Sequence, residues 1–205
     1  MLNMKNRRGM TRRLAFAAGL YLLAYSLAAC ADLWTTVLAI ERAGAHEGNI
    51  FATNGPVYIP TRALVINIGG AVIMTACVMF SANYAESIDP QWLLRPIASF
   101  RKMYLNPWSP AAIHVSPLHM LSLALGFVAL RLLAAGNNML IYFYGIAPIG
   151  APIKIIAQHT SGVLAFALVL VPLFYVLAIA VSPIAAKLLS LWRSGYLLQY
   201  PPYTY

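Results

Sequence analysis

Acidic side chains are nearly missing from this chain. Five Asp and Glu stand among 205 residues, and charged residues of both signs make up only 9%, where a soluble domain carries about a quarter. With 61% hydrophobic residues and a mean hydropathy of +0.72, the apolar side chains exceed what one soluble core can hold. A water-soluble globular protein is argued against, and lipid becomes the expected solvent. Cysteine is scarce too. Cys30 and Cys77 both lie in apolar stretches and give no support to a disulfide framework or a zinc site. No HExxH-type ligand spacing occurs, and no internal repeat is visible.

Basic residues, by contrast, are plentiful. Fourteen Lys and Arg give the chain a formal charge of +9. In a soluble protein such a surplus points to nucleic acid. Here Lys5, Arg7, Arg8, Arg12 and Arg13 precede the first apolar run, where positive charge holds an N-terminus in the cytoplasm. The surplus is therefore read as topology, with membrane lipid headgroups as partners and no nucleic acid.

Crossing a bilayer takes about 20 apolar residues. Four segments reach that length, at about 14–38, 63–84, 117–135 and 161–181, and the first helix runs on toward Ala43. With the N-terminus inside, the cytoplasmic segments hold ten basic residues, and the opposite side holds four: Arg42, Arg62, Arg131 and Lys154. The expected fold is an all-α integral membrane protein, one membrane domain over residues 1–205. Its four transmembrane helices form a bundle with both termini cytoplasmic, in a bacterial inner membrane.

One stretch near the N-terminus has two readings. Leu27-Ala28-Ala29-Cys30 has the form of a lipoprotein cleavage box, and the basic start suits a secretory signal. However, Leu33, Trp34, Val37, Leu38 and Ile40 carry the apolar pattern past the cysteine without a turn signal. An uncut helix is expected. Asp32 then sits about 27 Å from Leu14 at helical rise, near the far interface of a core about 30 Å thick.

The connecting segments also carry pattern. Asp89-Pro90 reads as a helix start, and Leu93, Ile97, Phe100 and Tyr104 recur at helical spacing with Arg95, Arg101 and Lys102 elsewhere on the wheel. This predicts an amphipathic helix over about 90–105 in the cytoplasmic interface, flanked by Trp92 and Trp108. Residues 136–160 are apolar but punctuated by Gly136, Gly145, Pro148, Gly150 and Pro152. A short interfacial or partly re-entrant segment at 139–156 is expected there, not a fifth span. Pro172 should kink the fourth span. The tail 196–205 is rich in Tyr and Pro. Trp92, Phe100, Tyr104, Trp108, Tyr200 and Tyr203 are the expected partner contacts.

The polar residues gather after the first span. Asp32, Thr35 and Thr36 share one side of a helix, since residues three and four apart are neighbours. Glu41, Arg42, His46, Glu47 and Asn49 follow, and Arg62 opens the second span. Asp32, Thr35, Thr36, Glu47, Asn49 and Arg62 form the expected polar site, with Arg62 set against Asp32 or Glu47 to register two helix ends. A hard cation on Asp32, His46, Glu47 and Asn49 is a weaker reading. So is hydrolysis at the membrane face, because no nucleophile or oxyanion donor is identifiable.

The order Asp, Thr, Glu-x-Asn, Gly-Pro, then a base opening the next span resembles the small bacterial membrane proteins of domain of unknown function 5658. The matching residues are Asp32, Thr35 or Thr36, Glu47, Asn49, Gly55, Pro56 and Arg62, with Gly69 or Gly70 following, over about residues 30–80. Ile50 stands where that family has proline, and Arg62 where it usually has lysine. The resemblance implies a polar site and no particular activity.

The histidines do not assemble a cofactor site. His114 and His119 point about 140° apart on a helix, and His159 falls at the opposite membrane side from His119, so no haem or other cofactor is expected. Ala15 and Gly19, Ala71 and Thr75, and Ser122 and Gly126 are small residues four apart, a spacing that lets helices approach closely. Polar residues near the bilayer midplane are few: Asn67, Thr75 and Ser122. The expected role is a non-catalytic accessory or assembly subunit touching other membrane protein subunits. The alternative is a small transporter or membrane enzyme using the carboxylates of the non-cytoplasmic face.

Overall fold

The computed structural model describes residues 4–43, 53–54, 57–105 and 110–197, with side-chain environments at 10–41, 59–100 and 115–193. The order of elements is α1 (Met4–Ala43), β1 (Thr53–Asn54), β2 (Val57–Tyr58), α2 (Pro60–Asn83), α3 (Pro90–Leu94), α4 (Pro96–Leu105), α5 (Pro110–Tyr144), α6 (Gly150–Ala157) and α7 (Gly162–Leu197). A single 3-10 turn, Ala85–Ser87, links α2 to α3. Among the described residues the regular structure is helical apart from one unexpected antiparallel pair of two residues each, Thr53 opposite Tyr58 and Asn54 opposite Val57. Four helices among the described residues are long and apolar enough to cross a membrane, within Met10–Glu41, Pro60–Asn83, Val115–Tyr144 and Gly162–Arg193.

Two expectations need correction. The third apolar helix does not end near residue 135. It continues through Gly136, Asn137 and Asn138 to Tyr144, where Gly145 closes it at φ +67, a left-handed position that favours glycine. A third of the supposed irregular segment 139–156 is thus the end of α5, and most of the remainder is α6. A glycine inside a helix costs about 1 kcal/mol relative to alanine, and here the two asparagines offset it. Asn137 Oδ1 accepts from the Ile149 backbone N–H at 3.0 Å, and Asn138 bonds to Thr36.

Next, the amphipathic segment 90–105 is two helices. Asp89 does cap the first, accepting from Gln91 N at 3.0 Å, with Pro90 in the opening turn. Arg95 then leaves the helix at φ −131, ψ 60, because the ring of Pro96 disfavours helical backbone in the residue before it. The last long helix, α7, runs from Gly162 to Leu197 with Pro172 inside it.

The chain divides into two compact units, and each of α1, α2, α5 and α7 contributes to both. Unit 1 comprises Met1–Leu22, Met74–Gly126 and Ala178–Tyr205; unit 2 comprises Leu23–Ile73 and Phe127–Leu177. Their interiors differ in kind. Unit 1 buries large apolar side chains: Ile88, Phe100, Leu118, Leu121 and Leu189. Here one small-residue pair acts as expected. A Cβ on Gly126 would lie 2.9 Å from Ala178 Cα, and Ser122 beside it is fully buried. Gly19, by contrast, has nothing within 4 Å of such an atom, so the Ala15–Gly19 pair makes no close contact.

Unit 2 buries Tyr25 and a series of alanines (Ala28, Ala29, Ala39, Ala63, Ala135, Ala165), together with Asp32, Thr35, Thr36 and Asn67. Small and polar residues fill its core. In lipid, where burying apolar surface gives helices little drive to associate, close backbone approach and interhelical hydrogen bonds take over that role.

Candidate functional site

The polar residues of unit 2 form one connected network. Asp32 on α1 is 7% exposed. Its Oδ2 accepts from Arg131 Nη1 on α5 at 2.9 Å, and its Oδ1 from Asn138 Nδ2 at 3.4 Å. One helical turn on, the same Asn138 amide donates to Thr36 Oγ1 at 2.8 Å and approaches Thr35 Oγ1 at 3.4 Å. Thr35 turns its own hydroxyl to the Ala31 and Asp32 carbonyls at 2.8 and 3.0 Å. The i, i+3 and i, i+4 spacing of Asp32, Thr35 and Thr36 is what presents all three to α5 together.

Tyr25 extends the network to α2. Its hydroxyl donates to Asn67 Oδ1 at 3.0 Å, and Asn67 Nδ2 in turn donates to the Ala63 carbonyl at 2.8 Å. The Tyr25 ring stacks on Phe127 at 5.6 Å, nearly parallel, and the Arg131 guanidinium lies 5.2 Å over the same Phe127 ring. Gly70 makes room for this stack, since a Cβ there would meet the Phe127 ring at 2.7 Å. Three helices are joined by these contacts: α1 to α2 through Tyr25–Asn67, and α1 to α5 through Asp32–Arg131 and Thr36–Asn138.

Depth gives the pair its weight. Arg131 is 16 residues after Val115 and 13 before Tyr144, the ends of its apolar stretch, or about 24 and about 20 Å along the helix. It is not a helix-end residue. A lone charge at the centre of a membrane-spanning helix costs about 2.5–3.5 kcal/mol on insertion scales, and Asp32 is the counter-charge that Arg131 meets within its own apolar stretch. The Nε of Arg131 is buried and has no hydrogen-bond partner among the described residues.

Of the six expected site residues, Asp32, Thr35 and Thr36 come together as anticipated, but with a different cation. The structure sets Arg131 against Asp32 in place of Arg62, which opens α2 with its side chain exposed. Glu47 and Asn49 lie outside the described residues. Among the expected partner contacts, Phe100 is a core residue, 2% exposed with its ring 4.3 Å from that of His119, and so offers no surface to a partner. Trp92 is half-buried. Tyr104 belongs to α4, but its side chain is outside the described residues, as are Trp108, Tyr200 and Tyr203. His119 belongs to unit 1 and His159 to unit 2.

Sequence reasoning missed Arg131, Asn138 and Tyr25 as site members. A signal for the first existed. Within the four predicted spans Asp32 is the lone acid and Arg131 the lone base, and two isolated opposite charges in apolar runs call for one another. Tyr25 and Asn138 had no comparable signal. In comparisons with known proteins, the chain matches no protein-family model, no curated protein and no solved structure.

Proposed function

We propose that this chain is a non-catalytic accessory or assembly subunit of a larger membrane protein complex. In this reading it is a bundle of four spanning helices in a bacterial inner membrane, with both termini cytoplasmic and α3 and α4 in the cytoplasmic interface. The observation that carries the proposal is the closure of the unit 2 network. Asp32, Thr35, Thr36, Asn67 and Asn138 bond to one another, to Tyr25 and Arg131, or to their own helix backbone. A network of that kind fixes helix register and rotation, leaving the outer faces to lipid and neighbouring subunits. Phe16, Trp34, Phe143 and Tyr144, each more than 60% exposed, supply large apolar contact area on those faces. The resemblance to domain of unknown function 5658 is part of this reading, with Asp32, Thr35 and Thr36 as the shared polar group.

One observation favours the alternative, a small transporter or membrane enzyme. An ion pair deep within apolar helices, with Arg131 Nε unpaired, is the kind of group on which ion or substrate pathways are built. The two readings separate in one set of variants. For an accessory subunit, mild-detergent purification recovers the same companion chains in fixed stoichiometry. Deleting 196–205 or 90–105 then removes them, while Asp32→Asn with Glu47→Gln lowers the yield of folded chain but leaves the folded fraction with the same companions. For a transporter or enzyme, the acid double variant abolishes the activity of the folded fraction in proteoliposomes. A chain that purifies as a stable lone monomer refutes the subunit reading.

A further inference from the structure

The +9 of the chain is not shared evenly between its units. Unit 1 holds ten Lys and Arg against two acids, a formal +8, whereas unit 2 holds four against three, a formal +1. Both acids of unit 1 are already engaged. Glu86 pairs with Arg13 at 3.4 Å, and Asp89 caps α3. The remaining positive charge of unit 1 exceeds what its own two acids can balance.

Where that charge meets apolar surface is specific. Leu94, which ends α3, is 83% exposed, and Ile97 in the first turn of α4 is 59% exposed, with the exposed Arg95 between them. Behind this edge the two short helices are pinned from within. Ser99 and Phe100 are buried; Ser99 Oγ lies 3.4 Å from His119 Nε2, and the Phe100 ring packs edge-on to the same imidazole. On the other flank Arg193 Nη1 donates to the Ile88 carbonyl at 2.9 Å. The segment follows directly on α2, a helix long enough to span. Two protruding aliphatic side chains around a cation, beside Trp92, make an edge with the chemistry of a surface that places aliphatic groups in acyl chains and its base at headgroup level.

We propose that the α3–α4 edge of unit 1 is a binding site for anionic phospholipid, with Leu94 and Ile97 in the acyl region and Arg95 on the phosphate. This rests on the membrane reading of the four long helices. Charge selects the occupant: an aliphatic edge alone accepts any lipid, but a +8 unit favours an anionic headgroup. A basic residue near an anionic membrane surface contributes roughly fivefold in binding, the factor equivalent to about 1 kcal/mol.

The test uses the full chain reconstituted in vesicles, with Trp92 as the sole tryptophan (Trp34→Phe, Trp108→Phe, Trp192→Phe), and quenching by brominated phosphatidylglycerol or brominated phosphatidylcholine. A companion protein retains Trp34 alone. At Trp92 the anionic lipid should be preferred by at least about fivefold, with little preference at Trp34. Arg95→Gln should lower the preference at Trp92 by about that factor, and Arg95→Lys should keep it. Both replacements are at an exposed position, and the Trp34 signal reports that the fold is intact. Equal quenching by the two lipids at Trp92 overturns the proposal. So does quenching at Trp34 with none at Trp92, which would mean that something other than lipid covers this edge. Absence of quenching at both tryptophans would overturn the membrane reading itself.

Discussion

The Asp32–Arg131 pair can be tested as a coupled unit with Asp32→Asn, Arg131→Met and the double variant. Removing one member of a buried pair leaves the other charge uncompensated, which costs about 3–5 kcal/mol in soluble proteins. In a membrane the unfolded helices also find partners for stranded polar groups, so the expected loss is smaller, about 2–4 kcal/mol for each single variant. The side chains are 14% and 10% exposed, so solvent screening reduces this only slightly. Arg131→Met should be the worse of the two, because it also removes the guanidinium from the Phe127 face at 5.2 Å, a contact of about 0.5–2 kcal/mol. The double variant leaves no stranded charge and should be no less stable than Arg131→Met alone. Reversible unfolding in mixed micelles, titrated with a denaturing detergent, measures all four proteins. The resulting cycle should give a coupling of about 2 kcal/mol, at the upper part of the range for residues in contact. A coupling under about 0.5 kcal/mol, the scatter of independent sites, would refute the claim that these two charges hold α1 to α5.

Gly126→Val should destabilise by about 1–3 kcal/mol or more, because the first added carbon already meets Ala178 Cα at 2.9 Å. Gly136→Ala, with nothing within 4 Å of its new methyl group, should instead raise stability by about 0.5–1 kcal/mol in the same unfolding titration. Asp89→Ala removes the cap on Gln91 N and should cost about 1 kcal/mol locally, read as faster amide exchange at the start of α3. Intact-mass analysis of the purified chain should show residues 1–29 retained and Cys30 without acyl groups; a chain beginning at a lipidated Cys30 would lose the first part of α1, Tyr25 included, and with it the link from α1 to α2.

The four apolar helices were legible because their runs exceed what any soluble element of that composition needs, and Asp89-Pro90 announced α3 by its capping chemistry alone. What escaped were the places where tertiary partners override local preference. Gly136-Asn137-Asn138 has the look of a turn, yet the helix persists because each asparagine side chain finds an acceptor or donor outside its own turn. The break at Arg95 shows the opposite case. There a purely local clash with Pro96 divides a segment whose hydrophobic spacing alone reads as one helix.

That misjudged helix end also governed the reading of the site. With α5 stopped near residue 135, Arg131 falls at the membrane surface, where it needs no partner, and Asp32 is left to Arg62 across a loop. Extending α5 to Tyr144 carries Arg131 inward by several turns. A charge there must be matched from another helix, and Asp32 is the one acid in an apolar span available to match it. The same extension brings Asn138 beside Thr36, so two successive turns of α1 are joined by polar contacts to positions two turns apart on α5. Unit 2 needs such contacts because its interior is mostly alanine, which supplies close approach but little shape to choose one helix rotation over another. Unit 1, with Phe100, Leu118, Leu121 and Leu189 to interlock, obtains that choice from packing. The ionic network is thus placed where apolar shape is least able to specify the structure.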